Sequence, residues 1–196
     1  GSLTLGVDAV TPLEMASAYA TLASGGIHHD TTPILKVYDR NGNLQKDNTV
    51  TEGEQVLTPE VAHAALKVME GVVSTSEGTG QDAALSSGQV VAGKTGTSDD
   101  YKDSWFCGVT PHLSAAFWLG DRRDYYGSDA CESVPSGITV TSAFANFMNV
   151  ALEGKPLEDF PDEPSPDYKP YTDEKYSIGG TSKGFSDSSG GYPKSD

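Results

Sequence analysis

Basic residues are scarce in this chain of 196 residues, which has 13 Lys and Arg against 28 Asp and Glu and a net charge of −15. A nucleic-acid backbone is bound through clustered Lys and Arg, and anionic membrane surfaces attract the same residues. The composition therefore predicts no nucleic-acid partner and argues against adsorption to an anionic membrane.

Long apolar runs are also missing. No stretch approaches the roughly 20 apolar residues of a membrane-spanning helix, and no signal peptide opens the sequence. If the protein is exported, we expect the targeting segment to lie outside this sequence.

Cysteine is limited to Cys107 and Cys131. The two lack the paired C-x-x-C spacing of a zinc site, so the sequence predicts no metal centre. They can be two buried free thiols or one disulfide, and a disulfide would require an oxidising compartment. The cysteines alone leave both interpretations open.

A change in composition near Gly154 divides the chain. Apolar residues recur with clear periods before it, whereas Pro, Ser, Gly and acidic residues dominate after it. Such a segment buries too little apolar surface to offset its ordering entropy. We therefore predict a domain over residues 1–161 and a flexible tail over residues 162–196, and a linker to a further domain is equally compatible with the tail's composition.

Three helices are predicted. Thr11, Pro12 and Glu14 form a capping box before the first helix, and Thr58-Pro59 opens the second. On the second helix the apolar residues Val61, Ala65, Met69, Val72 and Val73 are expected on one face. The third helix starts near Ile138, with Val140, Phe144, Phe147 and Ala151 in register.

The strands are shorter. Asn41-Gly42 predicts a hairpin, and three consecutive runs, "QVVAGKTGT", "DSWFCGVT" and "LSAAFWLGD", predict an antiparallel meander. Helices before and after the meander indicate an α+β fold in which helices cover the sheet.

The run "AGKTGT" ends an apolar strand with a lysine and two threonines. Gly93 and Gly96 allow another backbone or a ligand to approach closely, Lys94 offers a charge, and Thr95 and Thr97 add donors suited to a carboxylate. An exposed strand edge could also pair with an extended peptide. A surface lysine among threonines chosen for β propensity would explain the short motif about as well.

The surrounding blocks are more specific. The chain resembles the transpeptidase domain of class A, bifunctional penicillin-binding proteins over nearly all of residues 2–161. The resemblance is carried by "SLTLGVDAVTPLEMASAYATLASGG", by "GTGQDA" before the lysine strand, and by "VAGKTGTSDDYKDSWF" followed by "WLGD". K-T-G is one of the motifs of penicillin-binding proteins and serine β-lactamases. The resemblance implies the C-terminal part of a penicillin-binding-protein/serine β-lactamase-like fold.

The resemblance also implies roles for the strand. Lys94 would face a serine of the second family motif and move protons during acylation and deacylation. Thr95, Gly96 and Thr97 would line the site of the substrate's terminal carboxylate, and the backbone N–H of Thr97 would form half of an oxyanion hole. Lys94 and Thr97 are thus the implied catalytic residues, and no metal or organic cofactor is implied.

The family's nucleophilic serine in S-x-x-K and its second serine in S-x-N are both absent from this sequence, as is a G-x-S-x-G elbow. The chain is therefore expected to be inactive alone, as part of a D,D-transpeptidase. Two alternatives stay open: a non-catalytic binding or scaffolding module, and a hydrolytic relative (a D-Ala-D-Ala carboxypeptidase or a β-lactamase).

The implied partners are a peptidoglycan stem peptide ending in D-Ala-D-Ala, β-lactam antibiotics, and the missing N-terminal part of the same domain. The resemblance also places the parent protein outside the cytoplasm, anchored in the membrane by a segment outside this sequence. In that compartment a disulfide between Cys107 and Cys131 is favoured.

Overall fold

The computed structural model describes residue 6 and residues 8–49, 52–121 and 138–167. The chain divides into two units, Gly1–Ser165 and Pro166–Asp196, and the fold described below belongs to the first. From residue 168 onwards the predicted tail lies outside the described residues, so its flexibility stays a prediction.

Helices and strands alternate in groups along the first unit. The helices are α1 (Pro12–Ala23), α2 (Pro59–Ser74) and α3 (Ile138–Ala151). The strands are β1 (Ile27–His28), β2 (Lys36–Tyr38), β3 (Leu44–Asp47), β4 (Glu54–Gln55), β5 (Ala92–Thr97), β6 (Asp103–Val109) and β7 (Ser114–Gly120). Among the described residues, no helix has the length and hydrophobicity that crossing a lipid bilayer requires.

The central sheet is the predicted antiparallel meander, in the order β5-β6-β7. Its register pairs Lys94 with Cys107 and Phe106 with Phe117. Two short antiparallel ribbons, β1-β4 and β2-β3, stand apart from this sheet. Gly42 adopts φ +83° in the β2-β3 hairpin, as the Asn-Gly signal predicts.

Local signals set the helix ends. The Glu14 backbone N–H donates to Thr11 Oγ1 at 3.3 Å, and the Thr11 N–H donates to Glu14 Oε2 at 2.7 Å, which completes the predicted capping box. Gly25 and Gly26 end the segment after α1 with φ of +70° and +83°. These are left-handed values that favour glycine.

Helices pack on both faces of the sheet. On one face Phe106 of β6 meets Phe144 of α3, with ring centroids 4.9 Å apart in an edge-to-face contact. On the other face Ala92 and Val109 form a buried cluster with Leu66 of α2. The side chains of neighbouring strand residues point to opposite faces, so β6 contributes Phe106 to one face and Val109 to the other.

The predicted helical stripes are only partly right. Val61 of α2 is 41% exposed, whereas Val73 is buried as predicted; Ala62 and Leu66, which the predicted stripe does not include, are also buried. On α3, Val140 and Phe144 are buried as predicted, but Phe147 is 51% exposed and Met148 takes the core position. Both helices carry apolar residues at adjacent positions, so helical spacing alone cannot decide which of two neighbouring stripes faces the sheet.

A segment after α3, residues 155–161 and called the strap below, returns to the sheet. Gln89 Nε2 donates to Glu158 O at 2.5 Å, and the Glu158 N–H donates to Gln89 Oε1 at 3.0 Å. Phe160 is 3% exposed in the cluster beside Ala92, and a ring nitrogen of His63 contacts the carbonyl of Pro161. The strap therefore fixes the residues that lead into β5.

Candidate active site

Strand β5 passes from the core to the surface within a few residues. Val91 and Ala92 are buried, Lys94 and Thr97 are exposed, and Thr95 and Gly96 lie between these extremes. The neighbouring strand, β6, stays buried over most of its length. The four residues implied by the family motif thus lie together at the accessible end of a strand whose beginning is fixed in the core.

Glycine is required at the start of this motif. A Cβ atom at Gly93 would lie 2.5 Å from Cζ of Phe106, which is closer than real contacts permit. At Gly96 the corresponding Cβ would lie 3.2 Å from Cβ of Trp105, a tight but less severe contact. The absence of side chains at these two positions lets β5 lie close against the aromatic residues of β6.

Strand β5 is an edge strand within the described residues, since only β6 pairs with it. In an antiparallel ladder, alternate residues direct their backbone groups toward the partner strand. The Ser98 N–H donates to Asp103 O on the β6 side at 3.1 Å. By this alternation the N–H of Thr97 and the carbonyl of Thr95 lie on the open edge.

Lys94 supplies the positive charge at this edge. Its Nζ donates to the carbonyl oxygen of Thr95 at 2.8 Å, which agrees with the placement of that carbonyl on the open side. An ammonium group has three N–H donors, and the described residues give Lys94 no carboxylate partner. The charge is therefore available to an anion or a hydroxyl that approaches the edge.

The hydroxyl of Thr95 is engaged by another threonine. Oγ1 of Thr95 lies 2.7 Å from Oγ1 of Thr79, which belongs to the turn that follows α2. The sequence signal was the G-T-G triplet before the lysine strand, but nothing in the sequence indicated which residue Thr79 contacts.

A polar clamp closes the hairpin after the motif. Asp103 Oδ2 accepts from Ser98 Oγ at 2.9 Å, the Asp103 N–H donates to that same hydroxyl at 2.7 Å, and Asp103 Oδ1 accepts from Trp118 Nε1 at 2.8 Å. Tyr101 within this hairpin has φ +55°, a left-handed value that is uncommon for a non-glycine residue. The carboxylate thus ties the end of β5 to both other strands of the sheet.

Cys107 lies on β6 opposite Lys94 and is only 4% exposed. Burial raises the pKa of its thiol to about 11. Burial, with a smaller contribution from Cys107, also raises the pKa of Tyr19 on α1 to about 12. The predicted partner Cys131 lies outside the described residues, so the disulfide stays a prediction.

Among the described residues, neither the groove beside α1 nor a metal centre involves the lysine motif. A groove of about 640 Å³ lies beside α1, between Leu13, Tyr19 and Leu57, and none of the motif residues lines it. In the part of the chain that the structure describes, no group of three or more His, Cys, Asp or Glu is placed to hold a metal ion.

Comparison with known proteins gives consistent matches. The family model described as the penicillin binding protein transpeptidase domain matches residues 1–121. Penicillin-binding protein 1A of Clostridium novyi is 34% identical over 158 residues, which is 80% of this chain and 17% of that protein. Penicillin-binding protein 1A of Neisseria gonorrhoeae is 34% identical over 159 residues, which is 79% of this chain and 19% of that protein. The chain thus spans about a fifth of the length of these relatives.

Solved structures show the same similarity. The penicillin-binding protein PonA1 from Mycobacterium tuberculosis matches with a TM-score of 0.70 and 32% identity, over 82% of this chain and 43% of that one. The same protein in complex with penicillin V matches with a TM-score of 0.69 and 32% identity over the same shares. The predicted α+β fold of this type is confirmed.

Proposed function

Because the chain belongs to the penicillin-binding protein transpeptidase family, we propose that it forms one wall of a serine D,D-transpeptidase active site that cross-links peptidoglycan. The longer protein would supply the nucleophilic serine from a region outside this sequence. The substrate would be a stem peptide that ends in D-Ala-D-Ala.

The proposed reaction has two acyl-transfer steps. The serine oxygen attacks the carbonyl between the two D-alanines, the serine proton passes to the departing amine, and the terminal D-Ala leaves. The amine of a second stem peptide then attacks the acyl-serine ester, loses a proton and forms the cross-link as the serine is released. Each attack passes through a tetrahedral oxyanion.

The open edge of β5 is the observation that carries this proposal. The Thr97 N–H lies on that edge by the alternation of the ladder, where it would donate to the oxyanion. The Thr95 and Thr97 hydroxyls and the backbone around Gly96 would hold the substrate's terminal carboxylate. The exposed Lys94 ammonium would favour both the carboxylate and the proton transfers at the serines.

The same geometry fits a β-lactam. Penicillins carry a carboxylate and a strained amide, which correspond to the terminal carboxylate and the scissile bond of the substrate. PonA1 was solved in complex with penicillin V, and we propose that the protein containing this chain is acylated by β-lactams in the same cleft. We also propose that it acts outside the cytoplasm, anchored in the membrane by a segment outside this sequence.

Labelling with a fluorescent penicillin tests the proposal. The longer protein, including the region that precedes this chain in the relatives, should be labelled covalently, and excess unlabelled penicillin should block the label. The isolated chain should stay unlabelled because it lacks the nucleophile. An adduct on any serine of the isolated chain, found by mass spectrometry, would contradict this assignment.

Product analysis separates the proposed transpeptidase from its alternatives. With a stem-peptide donor, release of D-Ala together with a cross-linked product in the presence of an acceptor amine supports transpeptidation. Release of D-Ala with hydrolysed donor alone indicates a carboxypeptidase. A longer protein that binds the peptide but forms no acyl-enzyme is a binding module, and the transpeptidase proposal then fails.

A further inference from the structure

Thr79 lies outside the lysine motif, yet its side chain contacts a hydroxyl of that motif. Its Oγ1 lies 2.7 Å from Oγ1 of Thr95, although the two residues are 16 positions apart. Such a separation is typical of a strong O–H···O hydrogen bond. The family motif assigns no function to Thr79.

The turn that carries Thr79 is held in place from several sides. The Gly80 N–H donates to the carbonyl of Val72 at 2.9 Å, which attaches the turn to the last part of α2. Gln81 Nε2 donates to the carbonyls of Ser76 at 2.9 Å and Gly78 at 3.0 Å. These bonds fix the backbone on both sides of Thr79.

Close packing leaves no room for a Cβ atom at Gly78 and little room for one at Gly80. A Cβ atom at Gly78 would lie 2.2 Å from the carbonyl oxygen of Val72, and one at Gly80 would lie 3.1 Å from Cε2 of Phe106. Phe106 is also the residue opposite Thr95 in the ladder. The turn is therefore pressed against the part of the sheet that carries Thr95, which leaves Thr79 little freedom to move away.

We propose that Thr79 is a positioning residue that orients the Thr95 hydroxyl for the substrate's terminal carboxylate. This inference rests on the proposed function, because it needs Thr95 to bind that carboxylate. It extends the carboxylate site from the lysine strand to the turn that follows α2.

The donor count of the two hydroxyls sets the direction of the hydrogen bonds. Each hydroxyl has one O–H donor and two acceptor lone pairs. A carboxylate can only accept hydrogen bonds, so the Thr95 O–H must donate to the ligand. The Thr79 O–H must then donate to Thr95 Oγ1. The resulting chain, Thr79 to Thr95 to carboxylate, polarises the Thr95 hydroxyl and strengthens its bond to the charge.

A purely structural role is the competing explanation, in which the hydroxyl pair only ties the turn to β5. The two explanations differ in their dependence on the ligand's charge. A positioning role affects ligands with a free carboxylate, whereas a loosened turn affects all ligands alike.

The experiment measures second-order acylation rate constants of the longer protein with benzylpenicillin and with its methyl ester. Thr79→Val removes the donor at nearly constant volume, and Thr79→Ser restores it. Thr75→Val is the matched control, because Thr75 lies in the same segment and its hydroxyl donates to Gly71 O at 2.7 Å rather than to the motif. Melting temperatures of all variants report folding.

Loss of one oriented hydrogen bond predicts that Thr79→Val slows acylation by the free acid roughly three- to tenfold and leaves the ester rate unchanged. Thr79→Ser and Thr75→Val should stay within about twofold of the parent protein for both ligands. An equal loss for acid and ester, no loss at all, or failure of Thr79→Ser to rescue would overturn the positioning role.

Thr95→Val separates this inference from the proposed function. The ratio of the acylation rate constants for the free acid and the ester is the readout. If Thr95→Val lowers this ratio and Thr79→Val does not, the inference fails while the proposed carboxylate site stands. If neither variant changes the ratio, Thr95 does not bind the carboxylate and both assignments fail. A parent protein that penicillin does not acylate would also overturn both.

Discussion

At the scale of single residues, Lys94 combines a buried setting with an exposed charge. It directly follows two buried residues of β5, yet its ammonium reaches the open edge and donates to the carbonyl of Thr95. Truncation of the Lys94 side chain therefore removes little buried apolar packing but takes away a positive charge at the open edge of β5.

We expect Lys94→Ala in the longer protein to lower the rate of acylation by penicillin by about 100-fold or more, because general acid–base catalysis and charge stabilisation each contribute on that order. The melting temperature should change little. Lys67→Ala is the control, since Lys67 is a surface lysine on α2 whose Nζ lies 3.2 Å from Glu70 Oε1. Equal acylation rates for the two variants would show that Lys94 is not part of the active site.

A second residue-scale prediction concerns alkaline pH. Burial raises the pKa of Cys107 to about 11 and that of Tyr19 to about 12 in the folded chain. The unfolded chain loses these protons first as the pH rises, so the free energy of unfolding should fall from about pH 9 upward. Urea denaturation of the reduced protein at pH 7.5 and pH 10.5 measures this loss.

Cys107→Ala separates the contribution of the thiol from that of Tyr19. In this variant the fall in stability should begin at higher pH, since Tyr19 alone remains of the two. An unfolding free energy that is constant between these two pH values in the parent protein would contradict the burial of both groups.

The disulfide between Cys107 and Cys131 needs its own measurement. A thiol count on unfolded, non-reduced protein should give no free thiol if the two are bridged. Two free thiols would contradict the predicted disulfide and leave Cys107 as a buried thiol of the core.

At the scale of elements, the sequence predicted the helices and strands better than the faces they bury. The capping box at Thr11, the Asn-Gly hairpin and the three-strand meander are present as predicted. At some positions of α2 and α3 the buried residue is the neighbour of the predicted one, because adjacent apolar residues such as Val61 and Ala62 both satisfy helical spacing and tertiary packing selects one of them.

The candidate site shows a similar division. The motif marked Lys94, Thr95, Gly96 and Thr97 only together with the blocks around it, because the short motif alone is not specific. Thr79 and Asp103 could not be assigned contacts from the sequence, since their partners depend on where the turn after α2 and the β5-β6 hairpin lie in space.

The fit between β5 and β6 gives a prediction at this scale. Gly93→Ala would place its Cβ 2.5 Å from the buried ring of Phe106, so we expect a loss of about 1–3 kcal/mol from overpacking. Gly71→Ala on α2 is the control, because its Cβ would have an ordinary 3.7 Å contact. Replacing a glycine within a helix by alanine raises the free energy of unfolding by up to about 1 kcal/mol.

Urea denaturation of both variants measures the difference. If Gly93→Ala is as stable as the parent chain, β5 does not lie as close to Phe106 as the structure places it. The proposed cleft would then have a different width at its base.

At the scale of the whole molecule, the end of the fold is set by the strap rather than by α3. Phe160 is 3% exposed, and Gln89 exchanges two hydrogen bonds with Glu158. We expect a chain that ends at Ser165 to keep the melting temperature of the full chain. For a chain that ends at Gly154 the free energy of unfolding should fall by several kcal/mol, because truncation of one buried phenylalanine alone costs about 3–5 kcal/mol.

Thermal unfolding of the two truncated chains tests this expectation. Phe160→Ala in the full chain is the matched variant, since it removes the buried ring and keeps the strap's backbone. Equal melting temperatures for the chains ending at Gly154 and Ser165 would show that the strap contributes nothing to stability.

The two hydrogen bonds between Gln89 and Glu158 span 69 residues of sequence. A ribosome releases the chain from its N-terminus, so the residues that lead into β5 emerge well before their partner in the strap has been synthesised. During translation β5, the proposed substrate-binding strand, therefore emerges before the strap that supports it has been synthesised. A premature stop codon between Gly154 and Glu158 would release a polypeptide that contains every residue of the motif but lacks the segment that anchors them.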